Sequence, residues 1–154
     1  MYDITIKTIP GMQAVTISHV GPYMQIGKAF DLLYGRLAAS NLLSPGIRAV
    51  GIYYDDPAAV AENELRSRAG VVTNNPIAIE APLEYADIAD GTYAVLRHKG
   101  PYADMKAAYQ WLYGVWLAQS GREVADAPVF EEYLNNPRDT APTELMTDIY
   151  LPLR

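Results

Sequence analysis

The sequence predicts an α+β fold: an antiparallel sheet with two long helices on one face, made by tandem duplication of a strand–helix–strand–strand unit with pseudo-twofold symmetry. Three observations predict it. First, residues 19–35 and 98–114 align at an offset of 79, with His19/His98, Gly21/Gly100, Pro22/Pro101, Tyr23/Tyr102, Ala29/Ala108, Leu33/Leu112, Tyr34/Tyr113 and Gly35/Gly114 identical. Second, a β-rich run precedes each Gly-Pro and an amphipathic stripe follows it. Third, runs rich in β-branched and aromatic residues follow each stripe, now at an offset of 80, so one residue was gained in between.

Taken in order, Ile4–Ile9 opens the first unit as a strand. Ala14–Ser18 and Tyr93–Arg97 are the strands that run into His-x-Gly-Pro. Gly-Pro ends each strand, and proline at the first helical position is already set for the helix that follows. The apolar stripe Ile26, Phe30, Leu33 and Leu37 is matched by Met105, Tyr109, Leu112 and Trp116, which gives helices over about Tyr23–Asn41 and Tyr102–Ser120. Gly121 is a C-cap candidate, and Ser44-Pro45-Gly46 is a stop. Strands then follow at Ile47–Tyr54 and Pro128–Leu134, closed by the turns Asp55-Asp56-Pro57 and Asn135-Asn136-Pro137. Glu64-Leu65 and Glu144-Leu145 start the last strands, which run to about Thr73 and Leu153. Asn74-Asn75-Pro76, Ala81-Pro82 and Asp90-Gly91 mark a linker, with Ile77–Glu80 a candidate for one more short strand. The expectation is a single domain over 1–154: repeat 1 about 1–73, linker about 74–90, repeat 2 about 91–154.

Composition excludes several function classes. The chain has 154 residues, half of them hydrophobic, a net charge of −6 and only 12 Lys+Arg. Phosphate backbones are bound through clustered basic side chains, and there is no basic run, so direct nucleic-acid binding is not expected. There is no apolar run of about 18 residues and no basic-plus-apolar leader, which reads as a soluble, cytoplasmic protein without membrane contact. The absence of cysteine rules out disulfides and thiolate chemistry. The two histidines sit in equivalent slots of the two repeats, a poor basis for a metal site. No phosphate-binding glycine loop or Gly-x-Ser-x-Gly elbow occurs, and no metal or cofactor is expected.

The N-terminal strand leading to His-x-Gly-Pro-Tyr, the Tyr53-Tyr54-Asp55-Asp56-Pro57 turn, Phe130–Pro137 and Asp148–Leu153 together resemble the GyrI-like small-molecule-binding domain, also called the AraC-type effector-binding domain. The resemblance covers about Tyr2 to Leu153. It implies two lobes with a groove between them for small, amphipathic or cationic aromatic molecules. Relatives of this kind are the sensory halves of regulators, stand-alone proteins that sequester drugs or modulate gyrase, or hydrolases of cyclopropane-containing compounds. The chain starts a few residues before its first strand, so the stand-alone form is expected here.

Strand alternation sends Glu131 and Glu132 to opposite faces, so at most one lies under the helices. A carboxylate there is costly unless hydrogen-bonded or paired, which makes it a site candidate; two solvent-facing acids are the plain alternative. The family's acid lies in a Phe-Glu-x-Tyr strand, and that resemblance points to Glu131. Tyrosines number 12 against 2 Trp and 2 Phe, favouring rings with polar handles. Tyr109 and Trp116 fall on the core stripe and are read as packing. Trp111, Tyr34 and Tyr113 lie off it and are candidate ligand walls, or rings that cover the sheet or a homodimer surface. Tyr23 and Tyr102 are read as helix-start packing, and His19 and His98 as strand-end residues that satisfy turn backbone.

The expected function is capture of an amphipathic cationic or neutral aromatic ligand, with Glu131 as anchor and Trp111, Tyr34 and Tyr113 as walls. The first alternative is hydrolysis of a strained electrophile, with Glu131 as general acid or base. The second, implied by the resemblance alone, is a protein partner: inhibition of gyrase, or contact with a regulator.

Overall fold

The computed structural model describes residues 2–43, 46–73 and 77–154. The Ser44-Pro45 part of the expected stop and the Asn74-Asn75-Pro76 turn lie outside the described residues. The chain forms two compact units. The N-terminal unit is Gly11–Ala89; the C-terminal unit joins the residues up to Pro10 with Asp90–Arg154.

In the N-terminal unit, strands β2 (Met12–Val20), β3 (Arg48–Tyr53), β4 (Arg66–Val72) and β5 (Glu84–Ile88) form an antiparallel sheet in the order β3-β4-β2-β5. Helix α1 (Gly27–Ala39) follows a 3₁₀ turn, Tyr23–Gln25. Its buried Ala29, Leu33 and Leu37 pack on Val15, Ile17, Ala69 and Val71, the helix-side residues of β2 and β4. Full burial of each Leu, Val or Ile side chain among them contributes about 1.5–3 kcal/mol.

The C-terminal unit repeats this order with strands β1 (Asp3–Ile9), β6 (Gly91–Lys99), β7 (Val129–Tyr133) and β8 (Met146–Leu153), arranged β7-β8-β6-β1. Helix α2 (Met105–Trp111) follows the 3₁₀ turn Tyr102–Asp104. It buries Met105 and Ala108, and Leu112 just beyond it, against Ala94, Leu96, Ile149 and Leu151. The helix continues as a π-helical segment, Leu112–Leu117, and ends in α3 (Ala118–Ser120). Both prolines stand one position before the first helical turn rather than in it.

Two expectations are corrected here. Chain order assigned Ile4–Ile9 to the first unit, but β1 pairs with β6 of the second repeat through Asp3↔Arg97 to Ile9↔Gly91. The strand inside the expected linker is not Ile77–Glu80 but β5, which pairs with β2 of the first repeat. Ile77, Ile79 and Leu83 instead cover the N-terminal unit's core without joining its sheet. Each repeat's leading strand has thus been exchanged into the other unit.

The one-residue gain can now be placed. The helices start at Tyr23 and Tyr102, 79 apart, but end at left-handed caps, Asn41 (φ 55°) and Gly121 (φ 72°), which are 80 apart. The extra residue therefore lies inside the second helix, where π-helical turns accommodate it. Beyond it the counterpart of Leu37 is Leu117, not Trp116.

Candidate functional site

Strand β7 explains which glutamate is buried. Phe130, 1% exposed, faces away from the helix and stacks on Tyr150 at 4.3 Å, with Tyr93 edge-on to both. Glu131 pairs across the ladder with Ile149, which belongs to the core under the second helix, so it shares the helix side and is 4% exposed. Glu132 takes the opposite face and is half-buried.

Both oxygens of Glu131 accept a phenolic hydrogen bond. Tyr109 of α2 donates to Oε2 at 2.5 Å, and Tyr133, two residues along β7 on the same face, donates to Oε1 at 2.9 Å. Burying a carboxylate costs several kcal/mol, and each hydrogen bond to a charged group returns about 1.5–3 kcal/mol. Tyr102 packs edge-on to Tyr133 at 5.7 Å. Burial pushes its phenol above the ordinary value of 10.0, and the Glu131 charge adds to this. Tyr113, one helical turn beyond Tyr109, stacks on it at 6.5 Å with the rings 16° apart and is 42% exposed.

Of the residues singled out from sequence, the structure brings Glu131 and Tyr113 together through Tyr109. Trp111 lies two residues from each of those tyrosines, hence on the other side of the helix, and packs against Tyr2 at 5.4 Å over the core. Tyr34 belongs to the N-terminal unit and stacks on Phe30 at 6.2 Å; burial raises its phenol pKa. Tyr109 falls on the apolar stripe and its ring packs in the core as expected, but its hydroxyl bonds to Glu131. Tyr133 was missed, although its i+2 spacing from Glu131 on a strand was signal enough.

The histidines and Tyr23 hydrogen-bond to backbone carbonyls. His19 Nε2–H donates to the Pro22 carbonyl and His98 Nε2–H to that of Pro101, each at 3.1 Å. Tyr23 donates to the Asp55 carbonyl at 2.8 Å and ties the helix start to the turn after β3. Asp55 also takes a two-point ion pair from Arg66, which holds its carboxyl below the ordinary range. Among the described residues no group of three His, Asp or Glu side chains could hold a metal ion. None of the described helices is long and apolar enough to cross a membrane.

Residues 2–154 match the family described as the GyrI-like small molecule binding domain. The chain is a GyrI-like domain. It is 30% identical over 104 residues to the probable transcriptional regulator YgiV of Escherichia coli K12, a match covering 67% of this chain and 65% of that protein, so the domain spans just under two thirds of that relative. It is also 30% identical over 131 residues to a DNA gyrase inhibitor of Yersinia enterocolitica, with 82% of each chain covered. Among solved structures, the EcmrR C-terminal domain superposes with a TM-score of 0.79 at 20% identity, covering 100% of this GyrI-like domain and 98% of that chain. SAV2435 bound to tetraphenylphosphonium superposes with a TM-score of 0.66 at 16% identity, covering 99% and 94% respectively. These likenesses establish the fold.

Proposed function

We propose that this GyrI-like domain captures an amphipathic organic cation, with Glu131 as the charge anchor and Tyr109, Tyr113 and Tyr133 as the aromatic surround. The observation that carries this reading is the buried Glu131 carboxylate held between two phenols. Tyrosine faces attract positive charge by about 0.5–2 kcal/mol each, and a carboxylate screened from water attracts it more strongly than one in solvent. The tetraphenylphosphonium carried by SAV2435 is a ligand of that chemistry. The walls read from sequence, Tyr34 and Trp111, are tested by their alanine variants in the same panel.

The test is titration calorimetry of tetraphenylphosphonium into the parent and Glu131→Gln. A loss of about tenfold or more in affinity, with the melting temperature of the free protein preserved, is expected. Equal affinity in the two proteins would remove Glu131 as the anchor.

The pairing of Tyr109 with Glu131 also favours a second reading, hydrolysis of a strained electrophile such as a cyclopropane. Glu131 takes a proton from water as the water oxygen bonds to a strained carbon and the ring C–C bond breaks; Tyr109 protonates the departing carbon before regaining a proton from Glu131. Mass spectrometry decides it. Turnover present in the parent and absent in Glu131→Gln supports hydrolysis; unchanged compound recovered from both leaves binding alone.

A further inference from the structure

An edge strand carries a row of backbone N–H and C=O groups without ladder partners, and β1 is such a strand. It stands last in the order β7-β8-β6-β1, and among the described residues it pairs with β6 alone. Asp3, Thr5, Ile6, Lys7 and Thr8 are all exposed. Ile6 is 42% exposed, although Ile4, two residues earlier on the same face, packs on the core under α2. Asp3, Thr5 and Lys7 occupy the other face. Asp3 lies opposite Arg97, but that guanidinium is already held by both oxygens of Asp148, at 2.8 and 2.9 Å. Among the described residues neither Asp3 nor Lys7 makes an ion pair.

The run Asp3-Ile4-Thr5-Ile6-Lys7 is its own complement when turned end to end. Antiparallel pairing of two copies about Thr5 sets Asp3 of each against Lys7 of the other, on one face. On the other face it sets the exposed Ile6 against Ile4 of the second copy. Opposite charges directly across a ladder stabilise it, and like charges destabilise it. A twofold about Ile4 or Ile6 leaves both charges unmatched, and parallel pairing in register sets Asp3 against Asp3 and Lys7 against Lys7. A lone lysine on an edge only discourages pairing. An aspartate and a lysine placed evenly about Thr5 select one register. The edge strand β5 has no such property, since Glu84 and Asp87 are its only charges.

We propose that β1 is a homodimer interface, at which two copies of this chain join edge to edge, antiparallel, with the twofold axis at Thr5. The same patch serves both copies, so the contact closes at two. The ligand reading of the Glu131 site plays no part in it.

The experiment is sedimentation equilibrium of the whole chain over a wide concentration range. It compares the parent with Asp3→Lys, Lys7→Asp and the double swap that carries both. The parent should show a monomer–dimer equilibrium. Each single swap should weaken it by about tenfold or more, and the double swap should return to within threefold of the parent. The two single swaps move the net charge of −6 in opposite directions, so an effect of overall charge would shift them oppositely. Cross-linking supplies a second reading, because the chain has no cysteine of its own. Two copies of Thr5→Cys meet at the axis with Cβ atoms about 5 Å apart, within reach of a disulfide. Those of Lys7→Cys stand roughly 14 Å apart. Mild oxidation should therefore convert Thr5→Cys to a covalent dimer much faster than Lys7→Cys.

A parent that stays monomeric at every concentration overturns the inference. So does a dimer that both single swaps leave intact, or association that continues past two, the mark of β1 meeting β5 of the next copy. If the charge variants fail to fold, the cross-linking decides: equal rates for Thr5→Cys and Lys7→Cys overturn the register and the axis together.

Discussion

A carboxylate as secluded as Glu131 persists because both of its oxygens are occupied by phenols, and those phenols feel its charge in return. Tyr102 shows this most directly: its hydroxyl is driven up first by burial and then by Glu131. Burial is also the leading cause of the raised values of Tyr23, Tyr34 and Tyr93. The sign of the stability effect follows from the neutral form being the protonated one. The folded state holds these four protons more tightly than the unfolded chain, whose phenols titrate near 10.0. Their contribution to stability is therefore complete below about pH 10 and is lost as pH rises through the raised folded values. Absorbance at 295 nm between pH 8 and 12 should resolve a late-titrating class among the 12 tyrosines, and urea midpoints should fall over the same window. In Glu131→Gln one member of that class should move back toward ordinary behaviour. A single titration of all 12 near pH 10 would contradict the burial argument.

Local structure was legible wherever the backbone leaves few choices. His-x-Gly-Pro-Tyr was readable because Gly21 and Gly100 have φ of 127° and 137°, a region that side-chain-bearing residues rarely adopt, and because proline then sets the next residue for the helix. Gly100→Ala should cost about 1–3 kcal/mol, since the backbone must either strain or abandon the bond from its N–H to the Leu145 carbonyl. Gly114→Ala, in open space, should cost nothing, and paired denaturant curves check the contrast. Equal midpoints for the two variants would show that the turn tolerates a Cβ. Other features were hidden for equally physical reasons. Strand β5 reads Glu-Tyr-Ala-Asp-Ile, poor in β-formers, because as an edge strand it buries little besides Ile88. The role of Tyr109 was hidden because its ring serves the core while its hydroxyl serves the carboxylate, and an apolar stripe reports only the ring. The change of offset from 79 to 80 was visible in the sequence, but a count of residues does not say whether a loop or a helix absorbs the extra one.

At the scale of the molecule, the duplication and the folding units do not share boundaries. The repeats divide the chain near its middle, yet β1 pairs with β6 and β5 with β2, so the four strands of each unit include one from the other half of the sequence. This leads to a test with two fragments of the same length, residues 1–79 and Gly11–Ala89. The first contains repeat 1 as the sequence delimits it, but it lacks β5 and carries β1 without its β6 partner. The second contains all four strands of its unit, β3-β4-β2-β5, with α1 packed upon them. Losing β5 exposes the backbone groups of Met12–Thr16 that pair with it, and strips the Thr16 hydroxyl of its acceptor, the Glu84 carbonyl. Gly11–Ala89 should therefore show more ordered circular dichroism, slower proteolysis and a more cooperative denaturant transition than residues 1–79. Mixing residues 1–79 with 80–154 should restore what 1–79 lacks, because the second fragment supplies β5 to β2 and β6 to β1. If residues 1–79 alone proved as ordered as Gly11–Ala89, the exchanged strands would be decoration on self-sufficient repeats rather than the elements that complete each unit.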